Sequence, residues 1–133
     1  MARILCVEDE PDIRADIVEE LKDAGHTVVD ASNGAEGLEY ASQFKPDLIL
    51  CDFLMPVMTG PEMIQALRER HPELNGTICV MLSAYADTKH RAEAMAAGAD
   101  SYLTKPIDFD ELDVVVRGLL EKHHTPAKSA AQA

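Results

Sequence analysis

Cysteine is scarce in this chain, and the three that occur, Cys6, Cys51 and Cys79, stand at wide, irregular spacing inside apolar runs. That pattern builds neither a disulfide framework nor a CxxC metal site, so buried free thiols are expected. Basic charge is also short: 12 Lys and Arg face 24 Asp and Glu, a formal net charge of −12. Repulsion between such a chain and phosphate backbones argues against direct binding of nucleic acid and points to proteins or cations as partners. No apolar run reaches the length needed to span a bilayer, and the opening "MARILCVEDE" turns acidic without a small-residue cleavage site. No membrane contact and a cytoplasmic location are the resulting expectations. A GxxxxGK phosphate loop is missing too, which argues against a nucleoside triphosphatase.

What is present suits one ordinary domain: 133 residues, 47% of them hydrophobic and 27% charged. Runs rich in Val, Ile and Leu recur at 3–7, 26–31, 47–51, 77–82 and 101–104, and read as five short strands. Between them lie stretches of helical period, carried by Ile13, Ile17, Val18 and Leu21, by Met63, Ile64 and Leu67, and by Leu112, Val115, Val116 and Leu119. Punctuation agrees: Pro11 and Pro61 suit first helical turns, Gly25 and Gly98 suit C-terminal caps, and Asp108 with Glu111 suits a capping box. Continuously apolar strands alternating with helices predict a doubly wound α/β fold, a mainly parallel sheet covered on both faces. The ordered domain is expected over 1–122, and the small, polar stretch 123–133 is expected to lack structure.

One stretch poses a question. In "LILCDFLMP", residues 48–56, the charged Asp52 closes an otherwise apolar run. Ligands of an open parallel sheet bind beyond the carboxyl ends of its strands, so the residues there are informative. After the first strand come Glu8, Asp9 and Glu10; then Asp52 after the third, Ser83 after the fourth, and Thr104 and Lys105 after the fifth. Taken singly, each has an ordinary explanation: a cap, a turn or a solvated lysine. Together they are coherent, because crowded carboxylates repel by ~4 kcal/mol per close pair at an effective dielectric near ~20 unless a cation relieves them. Such oxygen donors suit Mg²⁺, and a carboxylate beside a metal and a lysine can act as nucleophile toward phosphorus.

In order and spacing these residues resemble the response-regulator receiver domain of bacterial two-component signalling. The resemblance spans residues 3 to about 121. It is carried by Glu8 and Asp9, by "CDFLMPVMTG" with Asp52, Met55, Pro56 and Gly60, by Ser83 and Ala84, and by "LTKP" with Lys105 and Pro106. It implies a flavodoxin-like sheet in the order 2-1-3-4-5 with five flanking helices, and phosphorylation of Asp52 from a sensor histidine kinase or histidine phosphotransfer protein. It further implies Mg²⁺ on Asp9, Asp52 and the backbone carbonyl of Leu54, with Glu8 acting through water and Lys105 meeting the phosphoryl oxygens. Ser83 and Tyr102 would be the switch residues, altering the surface of helix four, strand five and helix five for a downstream protein partner, a dimer formed on phosphorylation included. Glu8 stands where Asp is also frequent, Ser83 replaces a frequent Thr, and Leu54 and Tyr85 occupy variable flanking positions that bear on phosphate lifetime.

Two rivals are weighed against that function. A haloacid-dehalogenase-type phosphohydrolase would carry a second acid two residues after its nucleophile, and Leu54 stands there and cannot serve as a general acid. An interaction module that keeps the fold without the phosphorylation switch is opposed by the complete acidic, hydroxyl and lysine set. A phospho-acceptor rather than a turnover enzyme is therefore expected, promoting its own phosphorylation and hydrolysis. With only a short tail after the last helical segment, it is expected to be a single-domain regulator or a receiver excised from a longer chain, and Met1 favours the former. His90, His123 and His124 are expected to face solvent, none having a second metal ligand at suitable spacing.

Overall fold

The computed structural model describes the backbone of residues 2–132 and the side chains of residues 2–122. The chain alternates β1 (Arg3–Val7), α1 (Pro11–Asp23), β2 (Thr27–Ala31), α2 (Gly34–Phe44), β3 (Leu48–Asp52), α3 (Gly60–Arg70), β4 (Ile78–Ser83), α4 (Thr88–Ala97), β5 (Ser101–Thr104) and α5 (Phe109–Gln132). A 3-10 turn over Pro72–Leu74, absent from the sequence expectation, joins α3 to β4. The histidines at 123 and 124 and the rest of 123–133 lie outside the residues whose side chains are described.

All strands are parallel, in the order β2-β1-β3-β4-β5 as expected. The central strands are apolar throughout because helices cover both faces. Alternation along each strand then sorts the side chains. Leu5, Val7, Ile49, Cys51, Cys79 and Met81 pack with α2 and α3 residues such as Leu38, Met63 and Leu67. Ile4, Cys6, Leu48, Leu50, Val80 and Leu82 pack with Ile17 and Leu21 of α1 and Leu112 and Val116 of α5. Each such fully buried Leu or Ile stabilises the fold by about 2 kcal/mol. All three cysteines are buried free thiols, as expected.

Helix ends follow their residues. Gly98 terminates α4 at φ 115°, a left-handed conformation that a side chain would oppose. Asp108 accepts from the Glu111 N–H at 3.1 Å, half of the expected capping box. The full reciprocal box stands instead at α3, where Thr59 and Glu62 cap each other's backbone. Among the described residues, no helix is long and apolar enough to cross a membrane.

Candidate functional site

The strands end one residue later than expected in two places, so Asp52 and Ser83 are the last residues of β3 and β4 rather than the first of their loops. Placement within a strand matters, since it gives the side chain a defined face. Asp52 shares the parity of Leu50, toward α1 and α5, and Glu8 and Lys105 continue the same parity beyond Cys6 and Leu103. Ser83 and Tyr102 share the opposite parity with Met81.

The three residues on the first face meet. Lys105 Nζ donates to Glu8 Oε1 at 2.9 Å and lies 3.1 Å from Asp52 Oδ1. Glu8 is fully buried and Asp52 is 6% exposed, whereas Asp9 is exposed. The second carboxylate oxygen of Glu8 accepts from the Glu10 N–H at 3.1 Å. Glu10 itself takes the N-cap position of α1, without a side-chain bond to the helix. Carboxylate oxygens of Glu8, Asp9 and Asp52 all come within 4.8 Å of one another.

Burial first, and the Glu8 charge second, push the Asp52 carboxyl up from 3.8 to about 7 despite the lysine beside it. Burial works against the Lys105 ammonium, but its hydrogen bonds to Glu8 and Asp52 and the Asp52 charge raise it above its ordinary value. Lys105 is thus a fixed cation, while Asp52 is a carboxylate whose ionised form would gain from a further positive charge. Three hard oxygen donors in one cluster fit Mg²⁺, which binds through one or two carboxylates and keeps several waters.

Beyond Asp52 the chain is held tightly. Phe53 donates its N–H to Leu82 and its carbonyl accepts from Gly60, at 2.8 and 2.9 Å. A Cβ on Gly60 would collide with the Asp52 backbone oxygen and lie 2.6 Å from Met81 Sδ, so the start of α3 can lie against the end of β3 only as glycine. Leu54, at the position expected to offer its carbonyl, follows Phe53 with its side chain 53% exposed. The loop then turns within three residues: Met58 N–H donates to Pro56 O at 2.8 Å, and Val57 between them has φ 76°. A β-branched residue in that conformation is strained, and the strain sits in the loop that joins β3 to α3.

On the opposite face, Ser83 is fully buried and its Oγ accepts the Tyr85 N–H at 3.0 Å. Tyr102 is 5% exposed, and its hydroxyl donates to the Tyr85 carbonyl at 2.5 Å. One residue of the β4-α4 loop is therefore held by both residues expected to switch. The Tyr85 ring stacks on His90 with centroids 3.9 Å apart, and Phe53 meets both rings edge-on. His90, expected to face solvent, is instead partly covered, because its ring lies on Tyr85 and its Nδ1 is 2.6 Å from Asp87 Oδ1 at the α4 cap.

Sequence reading missed this aromatic cluster and also Arg14. The Arg14 guanidinium bonds Asp30 of β2 at 2.9 Å and the Glu8 carbonyl at 2.9 Å. The rings meet across loops and the guanidinium reaches from α1 to β2 and back to the end of β1, and neither leaves a periodic pattern in the sequence.

The family model described as the response regulator receiver domain matches residues 4–117. The transcriptional regulatory protein PrrA of Mycobacterium tuberculosis is 36% identical over 130 residues, 98% of this chain and 54% of that protein. Among solved structures, the receiver domain of a Francisella response regulator superposes with TM-score 0.85 at 30% identity, covering 92% of this chain and 98% of its own. The Vibrio cholerae chemotaxis protein CheY4 gives TM-score 0.83 at 34% identity, covering 88% and 97% of the two chains. The chain spans about half the length of the curated relatives it matches.

Proposed function

This chain belongs to the response regulator receiver family of two-component signalling, and on that premise we propose that Asp52 is the phospho-acceptor and that a phosphohistidine of a sensor kinase or phosphotransfer protein is the donor. An Asp52 carboxylate oxygen attacks phosphorus, a P–O bond forms, and the P–N bond breaks with its electron pair leaving on the imidazole. Lys105, already 3.1 Å from Asp52 Oδ1, neutralises charge on the phosphoryl oxygens. Asp9, Asp52 and the Leu54 carbonyl would hold Mg²⁺, with Glu8 acting through its water; when bound, the ion supplies further neutralisation and favours ionised Asp52.

Ser83 has a hydroxyl proton to give: its Oγ already accepts from Tyr85, so the O–H is free to donate to a phosphoryl oxygen. That donation draws on the atom that also anchors Tyr85, whose carbonyl Tyr102 holds. In this reading Ser83 and Tyr102 pass the change at Asp52 to α4, β5 and α5, shifting the population of that surface for a protein partner or a second copy. Hydrolysis of the acyl phosphate, promoted by the same site, returns the domain to rest without making it a turnover enzyme. The receiver comprises residues 1–122. The excess of acid over base supports cytoplasmic protein partners rather than nucleic acid for this segment.

The observation that carries the proposal is the buried Asp52 carboxylate held 3.1 Å from Lys105 within a three-carboxylate cluster. Incubation with acetyl phosphate, with and without Mg²⁺, followed by intact mass, tests it. The expected result is Mg²⁺-dependent addition of one phosphoryl group that disappears in Asp52→Asn. No addition, together with no response to beryllofluoride, would leave the phosphorylation-independent interaction module as the better reading.

A further inference from the structure

Asp9 is the exposed member of the acidic cluster, so packing does not hold its carboxylate. Its direction is set by the backbone that carries it. Both peptide groups flanking Glu8 are fixed. The Glu8 N–H donates to Ala31 O in β2 at 3.1 Å, and the Glu8 carbonyl accepts from an Arg14 guanidinium nitrogen at 2.9 Å. The Glu8 carbonyl and the Asp9 N–H belong to one planar unit, so a donor on that carbonyl orients the peptide entering Asp9. Arg14 is held in turn: its Nε donates to Asp30 Oδ2 at 2.9 Å, and its side chain is 21% exposed against 49% for Asp30.

We propose that Arg14 is a positioning residue for the Glu8–Asp9 arm of the site and that Asp30, on the edge strand β2, acts through it as the anchor. This rests on the acidic cluster being the Mg²⁺ site. The planar fork of Arg reaches two acceptors at once, the Glu8 carbonyl and the Asp30 carboxylate, which a lysine ammonium on a flexible stem does not reproduce. The strut also runs against simple electrostatics. A positive charge near the carboxylates repels a divalent cation, so removing the charge alone would tighten Mg²⁺ binding. Removing a strut loosens the Asp9 ligand and weakens binding. The two roles predict opposite signs.

The experiment is a Mg²⁺ titration by calorimetry on wild type, Arg14→Gln, Arg14→Lys, Asp30→Asn and the Arg14→Gln/Asp30→Asn double variant, with NMR relaxation of the Asp9 amide read in metal-free protein. Arg14→Gln and Arg14→Lys are each expected to weaken Mg²⁺ affinity by about tenfold, at the low end of outer-shell effects, and to make the Asp9 amide more mobile. The double variant is expected to be no weaker than Arg14→Gln, because Asp30 acts only through Arg14. Unchanged or tighter binding in Arg14→Gln, or additive losses in the double variant, overturns the inference. If Arg14→Gln does not fold, Arg14→Lys carries the same test, because it keeps the charge and loses the fork: weaker binding and a more mobile Asp9 amide are expected, and wild-type values overturn it. A wild-type chain that binds no Mg²⁺ overturns the metal reading; unchanged Asp9 amide relaxation in Arg14→Gln then overturns the strut separately.

Discussion

The Tyr102 hydroxyl donates to the backbone carbonyl of Tyr85, two residues beyond Ser83, whose own Oγ accepts the Tyr85 N–H. The β4-α4 loop is thus gripped at one residue from both sides. Tyr102→Phe keeps the buried ring and removes one grip. It is expected to cost about 1 kcal/mol in urea denaturation, the net worth of one hydrogen bond, and to reduce the spectral change of the 85–97 amides on beryllofluoride addition. Wild-type shifts in the variant would remove Tyr102 from the switch.

Lys105→Ala leaves Glu8 fully buried without its cation. We expect a stability loss of about 2 kcal/mol in EDTA, less than for a sealed pair because the lysine side chain keeps 18% exposure. Mg²⁺ should recover part of that loss, while the NMR response to phosphorylation stays impaired. Both are read by denaturation and NMR of one preparation.

Asp9→Ala should behave differently. The side chain is exposed, so stability should change by no more than about 0.5 kcal/mol. Mg²⁺ affinity, measured by titration, should fall by more than about tenfold. Equal affinity would take Asp9 out of the metal site.

A second carboxyl contact joins α1 to α5. The neighbouring Asp113 carboxyl first, then burial, then the charges of Asp113, Asp23 and Asp110 raise the Glu20 carboxyl from 4.5 to about 6. The folded state therefore holds this proton more tightly than the unfolded chain. The stability it brings is fully present below about pH 4.5 and is lost as pH rises through about 6. Glu20→Gln keeps a donor without the charge, so its melting temperature should exceed that of wild type at pH 8 and approach it at pH 4.5. Parallel melting curves across that range would refute the raised Glu20 carboxyl.

Gly60→Ala tests the close approach of α3 to the end of β3. The added methyl meets the Asp52 backbone oxygen and Met81 Sδ, and a cost of about 2–3 kcal/mol is expected with loss of phosphoryl acceptance. Gly118→Ala, where a Cβ meets open space inside α5, is the matched control and should stabilise by about 0.5–1 kcal/mol in urea denaturation.

Much of the fold and of the site is legible in the amino-acid sequence. Apolar runs locate every strand to within a residue, since a sheet buried on both faces admits little else, and strand-end chemistry singles out Glu8, Asp52, Ser83 and Lys105. The α4 helix shows no apolar stripe, and in the fold only Ala94 of it is buried, so its weak signal is a true property of the helix. Pro61 marks the start of α3, and the spacing of Thr59 and Glu62 just ahead of Met63 and Ile64 is itself a capping-box signal, legible in the sequence but absent from the expectation. The Phe53, Tyr85 and His90 rings and the Arg14 strut have no signal to find. Their meaning comes partly from distant neighbours, Phe53 for Tyr85 and Asp30 for Arg14, and partly from near ones, His90 and Glu8, that meet them across loop–helix junctions where no periodic pattern runs.

The Lys105–Glu8 ion pair joins residues 97 positions apart. During synthesis the three carboxylates leave the ribosome well before the lysine that neutralises them. Until β5 has docked beside β4 and brought Lys105 home, the nascent chain carries repelling acids with no cation of its own among them. The pairing of an acid that follows the first strand with a lysine that follows the last is therefore made only when all five strands of this sheet are in register, and it marks the sheet's closure in a way that no contact within a single element can.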